Sequence, residues 1–132
     1  MTHNPDNPEP VIRLLLVDDE VGYVQVLSKR MAKRSIEVTP AYSGSEAIQI
    51  LRKQDFDAAV LDLKMEDMDG IEVLKIFKVM TPQMPVIMLT GHGSETAARD
   101  GIEQGAVGYL IKPCNLDELI EKIREACRKQ PS

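Results

Sequence analysis

Polar residues with chemically useful side chains follow directly on four of the short apolar runs in this sequence. These residues are Asp18, Asp19, Glu20, Asp62, Thr90 and Lys112. Carboxylates that crowd together repel one another and raise each other's pKa values unless a cation compensates them. Mg²⁺ prefers oxygen ligands and usually binds one or two carboxylates together with a phosphate. If the fold brings these residues together, they suit a magnesium-dependent reaction of a phosphoryl group.

Asp62 is the candidate nucleophile of such a reaction, because a carboxylate can attack a phosphoryl group and form an aspartyl phosphate. Phosphoryl transfer needs mainly in-line positioning and neutralisation of the oxygen charges. One Mg²⁺ ion and Lys112 would together balance the negative charges of Asp18, Asp19 and Asp62. Each of these residues also has an explanation that involves no reaction. The acids after Val17, for example, fit the first turn of a helix, where negative charge is favourable.

Five apolar runs alternate along the chain with segments of helical character. The runs are Ile12–Val17, Ile36–Thr39, Ala58–Leu61, Pro85–Leu89 and Val107–Ile111. Four of them are dense in Val, Ile and Leu and lack polar alternation, which predicts parallel strands buried on both faces. The second run alternates and ends in Pro40, which favours an edge strand.

The helical segments carry apolar residues three or four positions apart. These are Val24, Leu27 and Met31; Ile48 and Leu51; Ile71, Leu74 and Phe77; and Leu116, Leu119, Ile120 and Ile123. Ser43 and Glu46 have the form of a capping box, and Asn115 is expected to cap the last helix. The fourth helix, Ser94–Gln104, is the least apolar and contains Gly101, which we expect to interrupt it. A poorly anchored helix is a candidate for an element that moves.

Strict alternation of strands and helices predicts an α/β fold, a doubly wound parallel sheet with helices on both faces. For five strands and five helices, the expected strand order is 2-1-3-4-5, the flavodoxin-like arrangement. Ligands of such sheets bind outside the carboxyl ends of the strands. All the polar residues that follow the apolar runs would then meet at one edge.

Composition limits the classes of function. The chain has 132 residues, 43% of them hydrophobic, which fits one domain with a substantial core. A net charge of −5 argues against direct contact with nucleic acid. Residues 1–10 contain three prolines and no apolar periodicity, which predicts a disordered tail. Neither a signal peptide nor a membrane helix of ~18 apolar residues is found, so we expect a cytoplasmic protein without membrane insertion.

Four motifs resemble the receiver domain of bacterial two-component response regulators. They are LLLVDDE at 14–20, VLDLKMEDMDG at 60–70, VIMLTGHG at 86–93 and GYLIKP at 108–113. The resemblance extends over residues 11–128 and implies a receiver domain at 11–130. It implies that Asp62 accepts a phosphoryl group, with Mg²⁺, from a sensor histidine kinase or a phosphotransfer protein. Such a protein is not an ordinary enzyme, because it catalyses only its own phosphorylation and dephosphorylation.

The resemblance also assigns roles around Asp62. Asp18 and Asp19 would form the acidic pair at the metal, with Asp19 the more direct ligand and Asp18 acting largely through water. The backbone carbonyl of Lys64 would supply another metal oxygen. Lys112 would contact the phosphoryl group, and a cis peptide bond would join it to Pro113.

The resemblance further implies a switch. Thr90 would supply a hydroxyl that moves toward the phosphoryl group, and Tyr109 would be the aromatic side chain that moves with it. The changed surface would be the fourth helix, the fifth strand and the fifth helix. An output partner of unknown identity would bind there, and a dimer that forms on phosphorylation is compatible with this surface.

The loop after Asp62 departs from the family pattern M-P-G-M-D-G. Glu66 and Asp67 replace the proline and the glycine, which adds two negative charges near the site. We expect this change to alter Mg²⁺ affinity or the phosphorylation rate. Lys64 and His92 flank the site, where they could influence the attack of water on the phosphoryl group. Simple surface exposure is the preferred interpretation for both residues. Gly91 and Gly93 leave room for a donor imidazole.

Two other functions compete with the receiver. A Mg²⁺-dependent phosphohydrolase with an aspartyl nucleophile would want a second acid two residues after Asp62, where this chain has Lys64. It would also want a cap domain over the substrate. An interaction module that is never phosphorylated is disfavoured by the presence of Asp19, Asp62, Thr90 and Lys112 together.

Overall fold

The computed structural model describes residues 10–91 and 95–128. Strands and helices alternate along them. In chain order they are β1 (Ile12–Val17), α1 (Val21–Ala32), β2 (Ile36–Ala41), α2 (Gly44–Lys53), β3 (Ala58–Asp62), α3 (Gly70–Met80), β4 (Val86–Thr90), α4 (Glu95–Glu103), β5 (Gly108–Ile111) and α5 (Leu116–Arg128). Residues 1–9 of the predicted tail, His92, Gly93, the predicted helix start at Ser94, and residues 129 and 130 of the predicted domain lie outside the described residues.

The strands form one parallel sheet in the order β2-β1-β3-β4-β5, which confirms the predicted flavodoxin-like fold. β2 is an edge strand as predicted, and its Pro40 lies opposite Leu16 of β1. The prediction that β5 is buried on both faces was wrong. Only Leu110 of β5 is buried, because β5 is the other edge of the sheet and no described strand covers its outer side.

Two apolar clusters cover the two faces of the sheet, because successive side chains of a strand point to opposite faces. Helices α1 and α5 pack on one face. Its buried residues include Leu14, Leu16, Val24, Leu27, Met31, Val60, Leu89, Leu110, Leu119, Ile120 and Ile123. Helices α2 and α3 pack on the other face, and Ala97 of α4 joins them. The buried residues there include Leu15, Val17, Ala47, Leu51, Leu61, Val73, Leu74, Phe77 and Met88.

The start of α2 confirms the predicted cap in part. The Ser43 hydroxyl accepts a hydrogen bond from the backbone N–H of Glu46 at 3.0 Å. The Glu46 carboxylate accepts from the N–H of Tyr42 at 2.6 Å, one residue earlier than a capping box requires. The first bond satisfies a backbone donor that the helix itself leaves unpaired, and the second pairs the N–H of the residue before the cap.

The segment between β5 and α5 also has expected features. The peptide bond between Lys112 and Pro113 is cis. Asn115 caps α5, because its side-chain oxygen accepts the N–H of Asp117 at 2.8 Å. Cys114, in this segment, is a half-buried free thiol. Among the residues that the structure describes, no helix has the length and apolarity to cross a membrane.

Gly101 does not interrupt α4, contrary to the prediction from sequence. The helix continues through this residue, which is buried against β4. A Cβ at this position would collide with the Sδ and Cε atoms of Met88. The glycine therefore allows close approach of α4 to the sheet, which matters because Ala98 and Gly101 are its only buried residues within the described chain.

We predict that Gly70→Ala lowers the free energy of unfolding by at least about 2 kcal/mol, because overpacking against rigid groups is costly. A Cβ at Gly70 would lie 2.5 Å from the Leu63 Cα and 2.9 Å from the Asp62 carbonyl oxygen. Gly22→Ala in α1 is the matched control, because nothing lies within 4 Å of its Cβ. Urea denaturation should show a neutral or stabilising effect of up to about 1 kcal/mol for the control. Equal effects of the two substitutions would contradict the packing argument.

Candidate functional site

Backbone hydrogen bonds continue past the strand ends and hold the residues that follow them. They run from Asp18 N to Ala41 O at 3.0 Å, from Leu63 N to Leu89 O at 3.1 Å, and from Lys112 N to Thr90 O at 2.7 Å. The backbone at these positions is therefore as well fixed as the sheet itself. This is how a parallel sheet places polar side chains at its carboxyl edge.

Strand alternation decides which of these side chains meet. Asp18, Asp62 and Lys112 each come two residues after a member of the apolar cluster under α1 and α5, namely Leu16, Val60 and Leu110. They therefore project toward the same face of the sheet. Asp19 follows the opposite alternation and projects toward the face that α2, α3 and α4 cover.

The ammonium of Lys112 lies among three carboxylates. Its Nζ is 2.6 Å from Glu20 Oε1, 2.9 Å from Asp18 Oδ2 and 3.7 Å from Asp62 Oδ2. The ring of Tyr23 flanks it, with the centroid 4.8 Å away, at a distance typical of a cation–π contact. Burial lowers the pKa of Lys112, but the bonds to Asp18 and Glu20 outweigh this effect and raise the pKa above its ordinary value.

Asp62 is a buried carboxylate at the end of β3, with 5% of its surface exposed. The backbone N–H of Lys64 donates to its Oδ1 at 3.2 Å. Burial, followed by the charge of Asp18, raises the pKa of Asp62 to about 6, against the opposing effects of the Lys64 N–H and Lys112. Burial and the neighbouring Asp18 charge therefore both disfavour the ionised form of Asp62.

The acids at this edge fit a divalent cation. Carboxylate oxygens of Asp18, Glu20 and Asp62 lie within 4.8 Å of one another, and oxygen donors are the ligands that Mg²⁺ prefers. Glu20 is one of the acids predicted to converge at this edge, but it is not among the predicted metal ligands Asp18, Asp19 and Asp62. β1 ends at Val17 and Glu20 precedes α1, so no strand periodicity in the sequence fixes the direction of the Glu20 side chain.

Asp19 borders a neighbouring cleft. Its Oδ2 accepts the backbone N–H of Glu66 at 3.3 Å. The cleft has a volume of about 560 Å³ and is lined by Asp19, Leu63, Lys64, Met65, Glu66, Asp69, Ile71 and Ala97. Direct metal ligation by Asp19 and by the Lys64 carbonyl stays a prediction.

The extra charge of Asp67 is compensated at the N-terminus of α2. Asp67 accepts hydrogen bonds from the N–H of Gly44 at 3.0 Å and from the N–H and hydroxyl of Ser45 at 3.1 and 3.0 Å. The two N–H groups lower the pKa of Asp67. The charge of Asp67, predicted to act at the site, instead attaches the β3–α3 loop to the N-terminus of α2, where the helix dipole favours a negative charge.

Thr90 and Tyr109 lie on neighbouring strands. Thr90 ends β4 and is buried, and its hydroxyl donates to the Gly91 carbonyl at 3.4 Å, which is a long contact. Tyr109 of β5 pairs with Met88 and packs, half-buried, on the cluster under α2 and α3. Since Met88 and Thr90 alternate onto the same face, Thr90 and Tyr109 share that face. Their coupled movement stays a prediction.

We predict that Asp62→Asn stabilises the metal-free protein by about 1–3 kcal/mol near pH 8. Folding raises the pKa of Asp62 from 3.8 to about 6, so the folded protein binds more protons than the unfolded chain between these values. The ionised carboxylate therefore destabilises the fold above pH 6, and this effect vanishes below about pH 4. Urea denaturation across this pH range would measure it.

Asp55→Asn is the control for this pH dependence, because Asp55 is exposed and precedes β3 at the opposite end of the strand. It should leave the free energy of unfolding nearly unchanged at both pH extremes. A stabilisation by Asp62→Asn that persisted at low pH would disprove the electrostatic explanation.

A family model of the response regulator receiver domain matches residues 14–124 of the chain. The fold is similar to that of a CheY-like response regulator receiver domain protein from Methanospirillum hungatei JF-1, with a TM-score of 0.87 and 31% identity over 91% of this chain and 96% of that one. The receiver domain of NtrX from Brucella abortus gives a TM-score of 0.83 at 27% identity, over 89% of this chain and 99% of that one.

Curated relatives include the transcriptional regulatory protein GlrR of Escherichia coli K12, which is 36% identical over 126 residues and 96% of this chain. The alginate biosynthesis transcriptional regulatory protein AlgB of Pseudomonas aeruginosa is 36% identical over 107 residues and 81% of this chain. The chain spans about a quarter of their length, 27% and 24% respectively. Their names concern transcription, which argues against extending the predicted absence of nucleic-acid contact to such longer proteins. The motifs, the fold and the family match agree: this chain belongs to the response regulator receiver domain family.

Proposed function

We propose that this domain is a phosphoacceptor switch in two-component signalling and that Asp62 accepts the phosphoryl group. The observation that supports this most directly is the buried Asp62 carboxylate, 3.7 Å from the Lys112 ammonium and grouped with Asp18 and Glu20. A histidine kinase or phosphotransfer protein is the proposed donor, and residues 11–130 are the proposed functional unit. The names of the relatives favour transcription as the output.

In the proposed reaction, an oxygen of ionised Asp62 attacks the phosphorus of a phosphohistidine. The P–N bond breaks, and the imidazole leaves with the electron pair. The Lys64 N–H at 3.2 Å holds one oxygen of the nucleophile, and Lys112 neutralises charge on the oxygens of the transferred group. Water attack on the aspartyl phosphate later restores the carboxylate and releases inorganic phosphate.

Asp18 and Asp62 would hold Mg²⁺ in this scheme, and Asp19 and the Lys64 carbonyl are the further donors that the family resemblance implies. When bound, the ion would supply positive charge to the phosphoryl oxygens. Burial, followed by the charge of Asp18, raises the pKa of Asp62, and a bound cation would favour its ionised form.

The response to phosphorylation is proposed to run through Thr90 and Tyr109. A phosphoryl group brings up to about two negative charges and strong acceptor oxygens, which would draw the Thr90 hydroxyl inward. Thr90 makes only a long contact to Gly91, and Tyr109 lies on the same face. The weakly anchored α4 follows Thr90 in the chain, so α4, β5 and α5 form the proposed output surface.

The phosphohydrolase alternative has less support. Two residues after Asp62 the chain has Lys64, whose side chain is exposed, where that reaction would need a general acid. We therefore propose that the domain turns over only its own phosphoryl group.

Incubation with Mg²⁺ and acetyl phosphate should add one phosphoryl group to the protein, as measured by mass spectrometry. Asp62→Asn should abolish the adduct, because the amide is not a nucleophile for phosphorus, and so should removal of Mg²⁺ by a chelator. Asp55→Asn should react like the unsubstituted protein. A persistent adduct in Asp62→Asn would move the nucleophile elsewhere. Steady turnover without an adduct would favour the phosphohydrolase, and no reaction would favour an interaction module.

Thr90→Ala should accept the phosphoryl group at Asp62 but lose the change at the output surface. Amide chemical shifts of α4, β5 and α5, recorded before and after phosphorylation, would measure this change. Thr90→Ser should restore it, because serine retains the hydroxyl that the phosphoryl oxygens attract. An undiminished shift of this surface in Thr90→Ala would rule out the Thr90 mechanism.

A further inference from the structure

Glu20 makes the shortest contact to Lys112. The Glu20 Oε1–Nζ distance is 2.6 Å, against 2.9 Å for Asp18 and 3.7 Å for Asp62. An ammonium has three protons to donate, and hydrogen bonds to Glu20 and Asp18 use two of them. In this state Lys112 is therefore directed toward Glu20 and Asp18 more than toward the nucleophile.

The position of Glu20 before α1 gives independent support for a role at Lys112. Glu20 is the N-cap residue of α1, a position that favours serine, threonine, aspartate or asparagine because their side chains bond the first helical N–H groups. The Glu20 side chain makes no such capping bond. The Asp18 carboxylate accepts the Glu20 N–H at 2.9 Å and so holds the backbone from which Glu20 reaches Lys112.

Exposure distinguishes the carboxylates that contact Lys112. The Asp18 side chain is 0% exposed and the Glu20 side chain 62%, while Lys112 itself is 17% exposed. Breaking the contact to Asp18 would leave a buried charge without its partner, which is costly. Breaking the contact to Glu20 returns a carboxylate to water at little cost. Glu20 is thus the contact that an incoming anion can replace.

We infer that Glu20 is a positioning residue that holds the Lys112 ammonium in the unphosphorylated protein and yields it to the phosphoryl group on Asp62. The inference rests on the proposed function of this site and gives Glu20 a role other than metal ligation. Glu20 then lowers the affinity of the site for a phosphoryl group, because the two anions compete for one cation.

Beryllofluoride, an analogue of the phosphoryl group on an aspartate, provides the test at saturating Mg²⁺. Glu20→Gln should bind it about two- to fivefold more tightly, the effect expected from losing one exposed ion pair. In a Lys112→Ala background, Glu20→Gln should leave the affinity for beryllofluoride unchanged. The four variants form a double-mutant cycle, which isolates the contact between the two side chains. Affinities would be measured from chemical shifts during the titration.

Glu66→Gln is the matched control. Glu66 is an exposed acid of the β3–α3 loop that bonds Asp19 through its backbone N–H, so its substitution removes the same charge without touching Lys112. An equal tightening by Glu66→Gln, or an effect of Glu20→Gln that survives in Lys112→Ala, would refute the inference in favour of long-range charge. Weaker analogue binding together with weaker Mg²⁺ binding would show that Glu20 is a metal ligand instead.

A second measurement separates this inference from the proposed function. In the metal-free protein, the ¹⁵N–¹H signal of the Lys112 ammonium should shift or broaden in Glu20→Gln and stay in place in Glu66→Gln. An unmoved signal in Glu20→Gln would overturn the inference even if Asp62 is phosphorylated. Failure of the unsubstituted protein to bind the analogue would instead overturn the proposed function, and the competition with it.

Discussion

The site depends on one electrostatic constraint, the placement of the Lys112 ammonium among carboxylates that are largely withdrawn from water. Asp18 and Asp62 are both buried, and their mutual repulsion is relieved only in part by a single cation. Burial of like charges is costly unless they are paired, and here the pairing is incomplete. Under the proposed function, this unfavourable arrangement would favour the uptake of a cation and then of an anionic phosphoryl group.

The parallel sheet is what imposes this constraint. β1 and β3 are neighbours in the sheet, so the acids that follow them leave the same edge side by side. Lys112 follows β5, two strands away from β3, and its long side chain spans that distance. An apolar cluster beneath each strand end fixes the backbone, so the charged groups cannot separate without disrupting the core.

The two faces of the sheet separate the residues of the proposed reaction from those of the proposed response. Asp18, Asp62 and Lys112 project toward the face of α1 and α5, whereas Thr90 and Tyr109 belong to the face of α2, α3 and α4. The carboxyl edge of the sheet is where the two sets come close to each other. Asp67, attached to the start of α2, anchors the loop that borders both sets. Under the proposed function, a charge change at Asp62 would affect the second face at this edge, without repacking of the sheet.

Much of the fold followed from periodicity in the sequence, because apolar spacing and caps are local properties of the chain. The sequence alone determined the alternation of strands and helices, the strand order, the capping role of Asn115 and the convergence of Asp18, Asp62 and Lys112 at one edge. It misjudged Gly101, because the effect of a missing side chain depends on its neighbour Met88 across the sheet. It misjudged the burial of β5, because an apolar run does not reveal that no strand of the described residues lies beyond it in the sheet.

Only the tertiary structure decided the contacts between distant residues. Glu20 and Lys112 are 92 positions apart, and nothing in the local spacing of either indicates the other. Asp67 and Gly44 are likewise 23 positions apart, so the charge of Asp67 could not be assigned to the start of α2 beforehand. Residue types and order determined which chemistry was available at this edge. Assembly of the sheet sets the distances between these residues and their burial. It therefore decided that Glu20 contacts Lys112 and that Asp19 lies toward the β3–α3 loop.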